Sequence, residues 1–84
     1  MELYEKNGNI LYILNILKKY SDEEHILSSK DISDKIKEIY DVSVDSRTVR
    51  RNITLLIEKF GYDISTWNEN KKGYYIIKNP ETDF

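Results

Sequence analysis

The chain has 84 residues, enough for one small core and too few for a second domain or a deep enclosed active site. It has no Cys, which excludes a disulfide scaffold and a thiolate zinc site. Its charges nearly cancel, 13 basic against 15 acidic, and an apolar share of 39% is too high for a disordered tail.

No run approaches the ~18 apolar residues of a membrane span, and Met1 to Lys6 is charged where a secretion signal would be apolar. A soluble, cytoplasmic globular domain is expected. There are 12 Ile and no Ala, so large branched side chains and 7 Tyr must build the core.

Residues 1–8 read as an N-terminal arm. Residues 9–20 read as a helix capped at Asn7 or Asn9. Ile10, Ile13, Leu14, Leu17 and Tyr20 follow the spacing of one buried stripe. Tyr12 and Ile16 fall on the other side. Either the arm covers them through Leu3 and Tyr4, or they form a surface for self-association.

Ser21 to His25 is a polar loop, and Ile26-Leu27 a very short strand. Ser28 and Ser29 are both good caps, and Asp31 three positions after Ser28 gives a form of the capping box. The second helix is expected over about Lys30 to Tyr40, burying Ile32, Ile36, Ile39 and Tyr40. After a short connection, Asp45 is the expected N-cap of the third helix, and Val44 and Val49 have the spacing of a hydrophobic staple. That helix is expected to run to Phe60 and stop at Gly61, a residue suited to a left-handed end. Val49, Ile53, Leu56, Ile57 and Phe60 form its core stripe.

From Tyr62 to Trp67 the pattern alternates as in a strand. Asn68 to Gly73 is a polar turn, and Tyr74 to Ile77 a second strand ended by Pro80. Tyr62, Ile64, Tyr74 and Ile76 should face the helices, leaving Tyr75 and Ile77 outside. The fold class is therefore mainly α with a small β-hairpin.

All three Arg residues lie in one five-residue window, Arg47-Thr48-Val49-Arg50-Arg51. Segment 45–60 carries four basic and two acidic residues, hence +2, so the rest of the chain carries −4 against a total of −2. With about 100° between successive helical residues, Arg47, Arg51, Thr54 and Glu58 share the face opposite the core, with Thr48 and Arg50 on its flanks. Arg presents a planar fork of donors that matches guanine edges and phosphates. A plain solvated face with salt bridges is the bland alternative.

Several stretches together, in this order, resemble the N-terminal DNA-binding domain of WYL-domain transcriptional regulators, whose winged helix is similar to the DeoR type. They are Tyr20 to Ser28, Asp31-Ile32, Val44 to Ile53, Gly61 to Ile64 and Gly73 to Ile76. The resemblance spans about residues 9–78 and implies a winged helix-turn-helix of three helices, a short strand and a two-stranded wing. The family carries a larger ligand-sensing domain after the wing. Residues 79–84 look like the start of a linker to it, in a piece of a longer regulator or in a stand-alone winged helix. The lack of Ala beside many Ile, Lys, Asn and Tyr fits an AT-rich coding sequence, as in a low-GC bacterium or its phage.

The expected function is sequence-specific binding of double-stranded DNA by a bacterial transcriptional regulator, with the third helix in the major groove. Arg47 and Arg51 are the expected base readers, assisted by Ser46 and Thr48. Arg50 would clamp phosphate. Lys71 and Lys72 at the wing tip would touch phosphate or enter the minor groove. Ser28, Ser29 and Lys30 would bind phosphate through backbone N–H groups at a helix start. With roughly four to six phosphates in reach of one copy, a homodimer is expected, through Tyr12 and Ile16 or through a further domain.

The alternative is a protein-interaction module without DNA binding, anchored on Trp67, Tyr75 and the hairpin tip. An enzyme is not expected, nor any cofactor. There is one His, and the three Gly are too far apart for a phosphate loop. Asp22-Glu23-Glu24-His25 has metal-binding residue types, but consecutive acids diverge, so no metal is expected there. His25 should simply pack near the short strand.

Overall fold

The capping residues place the second and third helices. A computed structural model describes residues 2–77, with side chains from residue 9 onward. In it Ser28 Oγ accepts the Asp31 N–H at 3.0 Å and the Asp31 carboxylate accepts the Ser28 N–H at 3.0 Å. This reciprocal pair opens α2 (Ser29–Tyr40). Asp45 Oδ1 accepts the Thr48 N–H at 2.8 Å and opens α3 (Ser46–Glu58). Val44 and Val49 are both buried, as the staple requires. Between the helices, Asp41 sits in the left-handed region at φ 57°, and the Ser33 hydroxyl donates to the Val44 carbonyl.

Helix α3 ends at Glu58, two residues short of the expected Phe60. Lys59 and Phe60 turn away, Gly61 takes φ 73°, and the Tyr62 N–H reaches back to the Leu56 carbonyl at 3.0 Å. Phe60 therefore leaves the core stripe and is 63% exposed. In the last turn of α2, Ile39 is likewise exposed rather than buried.

The first helix, α1 (Glu2–Tyr20), starts much earlier than expected. Residues 2–8 continue it instead of forming an arm, and Asn7 and Asn9 lie inside it rather than capping it. The proposed cover by Leu3 and Tyr4 concerns side chains outside the described residues. Ile16 needs no such cover, since it is buried together with Ile13, Leu14 and Leu17. The broad apolar face arises because α1 packs against α2, α3 and the sheet at once. Tyr12 stacks on Tyr40, ring centroids 4.6 Å apart. Ile16 thus belongs to the interior and Tyr12 to its edge, so Ile16 is not exposed for self-association, one of the two alternatives expected of the pair. Tyr20, expected in the stripe, is exposed with Lys35 Nζ 4.6 Å from its ring centre.

Two short strands, β1 (Ile64–Ser65) and β2 (Tyr75–Ile76), pair antiparallel with Ile64 opposite Ile76. The expected strand at Ile26-Leu27 shrinks to one bridge, Leu27 to Tyr74, on the other side of β2. Ile64 and Ile76 are buried, and Tyr62 and Tyr74 pack against the core, while Ile77 faces outward as expected. The segment expected as strand end and turn instead holds one helical turn, α4 (Trp67–Asn70). The Glu69 carboxylate accepts the Thr66 N–H at 2.9 Å, and a Thr-x-x-Glu box at a helix start is the reason. Pro80 and the expected linker at 79–84 lie outside the described residues.

The chain is mainly helical with a small two-stranded antiparallel sheet. Its core is one cluster that joins α1, α2, α3 and the sheet. Among the described residues, no helix is long and apolar enough to cross a membrane.

Candidate nucleic-acid interface

The amphipathic pattern of α3 fixes where its arginines point. Val49, Ile53 and Leu56 are buried against the other helices, so the opposite face must meet solvent. Arg47, Arg51, Thr54 and Glu58 are all exposed there. Arg47 stands in the first turn of the helix and Arg51 one turn later. Among the described residues neither they nor Arg50 is ion-paired; the ion pairs are His25–Asp22, Lys30–Asp34 and Lys37–Asp41. The guanidinium donors of Arg47 and Arg51 thus face water, available to an outside acceptor. Ser46 and Thr48, the expected assistants, are half-buried.

Arg50 is separated from the other two. Its guanidinium reaches Ser29 Oγ at 3.3 Å, linking α3 to the start of α2. With Ile53 and Thr54 it forms one wall of an open groove of about 560 Å³, whose other walls are Ser28 and Ser29 and the wing residues Thr66, Trp67, Asn68, Lys72, Gly73 and Tyr74. The sequence thus grouped Arg50, Ser28, Ser29 and Lys72 as phosphate ligands, and the fold brings these four to one groove. Lys30 and Lys71 do not line it. Lys30 is exposed and bonded to Asp34 at 3.2 Å, and Lys71 lies 5.0 Å from the ring centre of Trp67.

At the start of α2 the available N–H groups are fewer than expected. The Ser28 amide is taken by Asp31. The Ser29 and Lys30 amides, inside the first turn, remain for an outside acceptor. Asp45 governs the corresponding end of α3. The Thr48 N–H, and then the Thr48 hydroxyl, hold its carboxyl below the ordinary value of 3.8.

Asn70 shapes the wing, a role the sequence reading missed. Its Oδ1 accepts the N–H groups of Lys72 and Gly73 at 2.7 and 2.9 Å, while its Nδ2 donates to Ser65 Oγ and the Gly73 carbonyl, each at 3.0 Å. Lys71 at φ 61° completes the tight tip. Gly73 is needed where the wing crosses Leu27, because an added Cβ would fall on the Leu27 carbonyl. The lysines are therefore carried on an internally bonded loop.

His25 does not pack near the strand. It is exposed, with Nδ1 2.9 Å from Asp22 Oδ1. That contact, followed by the Glu24 N–H, lowers the Asp22 pKa below 3.8. Among the described residues, no three side chains of metal-ligating type come together.

Comparison of the chain with family models, curated proteins and solved structures finds no significant match.

Proposed function

We propose that the chain is a winged helix-turn-helix that binds double-stranded DNA with sequence preference, of the kind that opens WYL-domain bacterial regulators. The observation that carries this reading is the exposed, unpaired Arg47 and Arg51 at the start of α3, on the face opposite its buried stripe. The order of elements supports it: α1, the Leu27 bridge, α2, α3, then two strands with β2 between β1 and Leu27. On this reading α3 enters the major groove, Arg47 and Arg51 contact base edges, and Ser46 and Thr48 assist. Arg50, Ser28, Ser29 and Lys30 hold phosphate. Lys71 and Lys72 reach the backbone or minor groove from the wing. Glu58 repels phosphate, so contact is confined to the first half of the helix.

The function is binding without catalysis and without a cofactor, at the nucleoid in the cytoplasm. Because the rest of the chain is acidic, one copy neutralises few phosphates, and two copies on a two-fold-related site supply the occupancy. The test is affinity for labelled duplex against salt. On a logarithmic plot it falls with a slope of about −0.9 per phosphate contacted. A flat response contradicts the reading.

A second reading, protein docking without DNA, draws support from Leu11 and Phe60, which are 60% and 63% exposed. It predicts partner affinity that barely responds to salt.

A further inference from the structure

The groove beside α3 has a composition unlike the chain as a whole. Acids outnumber bases in the chain, 15 to 13, yet the residues lining the groove include Arg50 and Lys72 and no carboxylate. Asp31 and Glu69 sit beside lining residues but are turned to backbone N–H groups, Asp31 to that of Ser28 and Glu69 to that of Thr66. The Arg50 guanidinium is steadied at one wall by Ser29 Oγ. The amide of Asn68 adds a neutral polar group, while the Thr54 hydroxyl donates to the Arg50 carbonyl and the Thr66 hydroxyl to Glu69 Oε1, each at 3.2 Å. On the facing wall Trp67 is 50% exposed, with the Lys71 ammonium 5.0 Å from its ring centre. Cations, a side-chain amide and one flat apolar surface match a repeating ligand of charged phosphates and less polar sugars. The placement is also selective. Arg50 lies on the flank of α3 that borders the groove, between the buried Ile53 and the outward-facing Thr54, whereas Arg47 and Arg51 do not line it.

We propose that this groove seats one sugar–phosphate strand of the bound duplex, with a phosphate between Arg50 and Lys72 and a deoxyribose against the indole of Trp67. The proposal rests on the DNA-binding reading and adds to it a strand position and the contact residues Trp67 and Asn68. The two flanks of α3 then divide the work: one reads bases, and the other, with the wing, grips the adjoining backbone. Asn70 is a positioning residue, because its four hydrogen bonds hold the loop that carries Lys72 and follows Trp67.

Trp67 is the single Trp in the chain, so its emission reports this groove alone. The experiment uses the full chain and a fluorescein-labelled duplex. Binding is followed by anisotropy, and the accessibility of Trp67 by acrylamide quenching. Duplex binding should lower the quenching constant by about twofold or more, since Trp67 starts 50% exposed. Arg50→Ala should weaken every duplex alike and lower the magnitude of the salt slope by about one contact. Trp67→Phe, which keeps a flat ring, should bind more tightly than Trp67→Ala.

A duplex that binds while Trp67 stays fully quenchable overturns the groove assignment and leaves the DNA-binding reading standing. No anisotropy change with any duplex overturns both. A third arm adds a free deoxynucleoside monophosphate. If it protects Trp67 as well as duplex does at equal concentration, the occupant is a free nucleotide, and the strand assignment is overturned. If it protects only weakly, the strand assignment is supported.

Discussion

Ser21 Oγ accepts the N–H of Ile76 at 3.0 Å and donates to the carbonyl of Leu17 at 2.7 Å, joining the end of α1 to β2 across 55 positions. Ser21 is 1% exposed, so this one hydroxyl satisfies a buried amide that the sheet leaves unpaired. Replacing it orphans that amide. Ser21→Ala should cost about 1–3 kcal/mol of stability, read from the urea midpoint. A midpoint unchanged from wild type would mean that water or a shifted strand satisfies Ile76.

Gly73 sits where the wing crosses Leu27, and a Cβ there meets backbone, which cannot swing aside. Gly73→Ala should break the Leu27–Tyr74 bridge and displace Lys72. Amide exchange at Leu27 and Tyr74 should rise sharply while amides within α2 and α3 keep their protection. Duplex affinity should fall with it. Unchanged exchange at those two amides would show that the crossing relaxes at little cost.

The interior is exacting about volume. Ile36 and Ile53 are 0% and 1% exposed and come from different helices of one cluster. Ile53→Ala should destabilise by roughly 2–5 kcal/mol, the range for deleting a buried Ile side chain. In a domain this small that is a large share of a total near 5–10 kcal/mol. Chemical denaturation measures it, and a loss below about 0.5 kcal/mol would mean that the core collapses around the gap.

Acid should weaken the cap at the start of α3. The Asp45 carboxyl has its folded pKa depressed below 3.8, chiefly by the Thr48 N–H. A depressed carboxyl pKa contributes stability that is present above the unfolded value and is lost as pH falls through the folded one. Asp45→Asn keeps a capping oxygen but cannot titrate. Its denaturation midpoint should therefore fall less steeply than that of wild type below pH 3.8. Asp22, lowered by His25 and the Glu24 N–H, adds to the slope in the same direction. Parallel profiles for wild type and Asp45→Asn would remove Asp45 as the source.

The caps were the most legible part of the sequence. Ser28 with Asp31, Asp45 with the Val44–Val49 staple, and Gly61 as a left-handed stop are each set by a few adjacent residues, and each appears as expected. What depended on distant partners was not legible. Ile16 falls outside the single apolar stripe that spacing predicts for α1, whereas α2, α3 and the sheet all pack on that helix. Phe60 and Ile39 fit a helical period, but Phe60 lies past the end of α3 and Ile39 in the last turn of α2, and both are exposed. The turn at α4 carried its own signature, Thr66-Trp67-Asn68-Glu69, which the alternating pattern from Tyr62 obscured. The outer face of α3 was read correctly from periodicity alone. The groove that takes Arg50 away from that face needed the wing's position, and no local spacing encodes it.

The account turns on Arg47 and Arg51 contacting bases while Arg50 and Lys72 hold the backbone. Selection from a randomised duplex pool at two salt concentrations tests this most directly, using wild type, Arg47→Ala and Lys72→Ala. Wild type should enrich a two-fold-related motif. Arg47→Ala should lose preference at one position in each half-site, by about 1–3 kcal/mol of discrimination. Lys72→Ala should keep the motif and bind all sequences more weakly, most visibly at the higher salt. A pool that stays random for wild type, or one in which both variants lose affinity uniformly with the motif intact, would contradict the account.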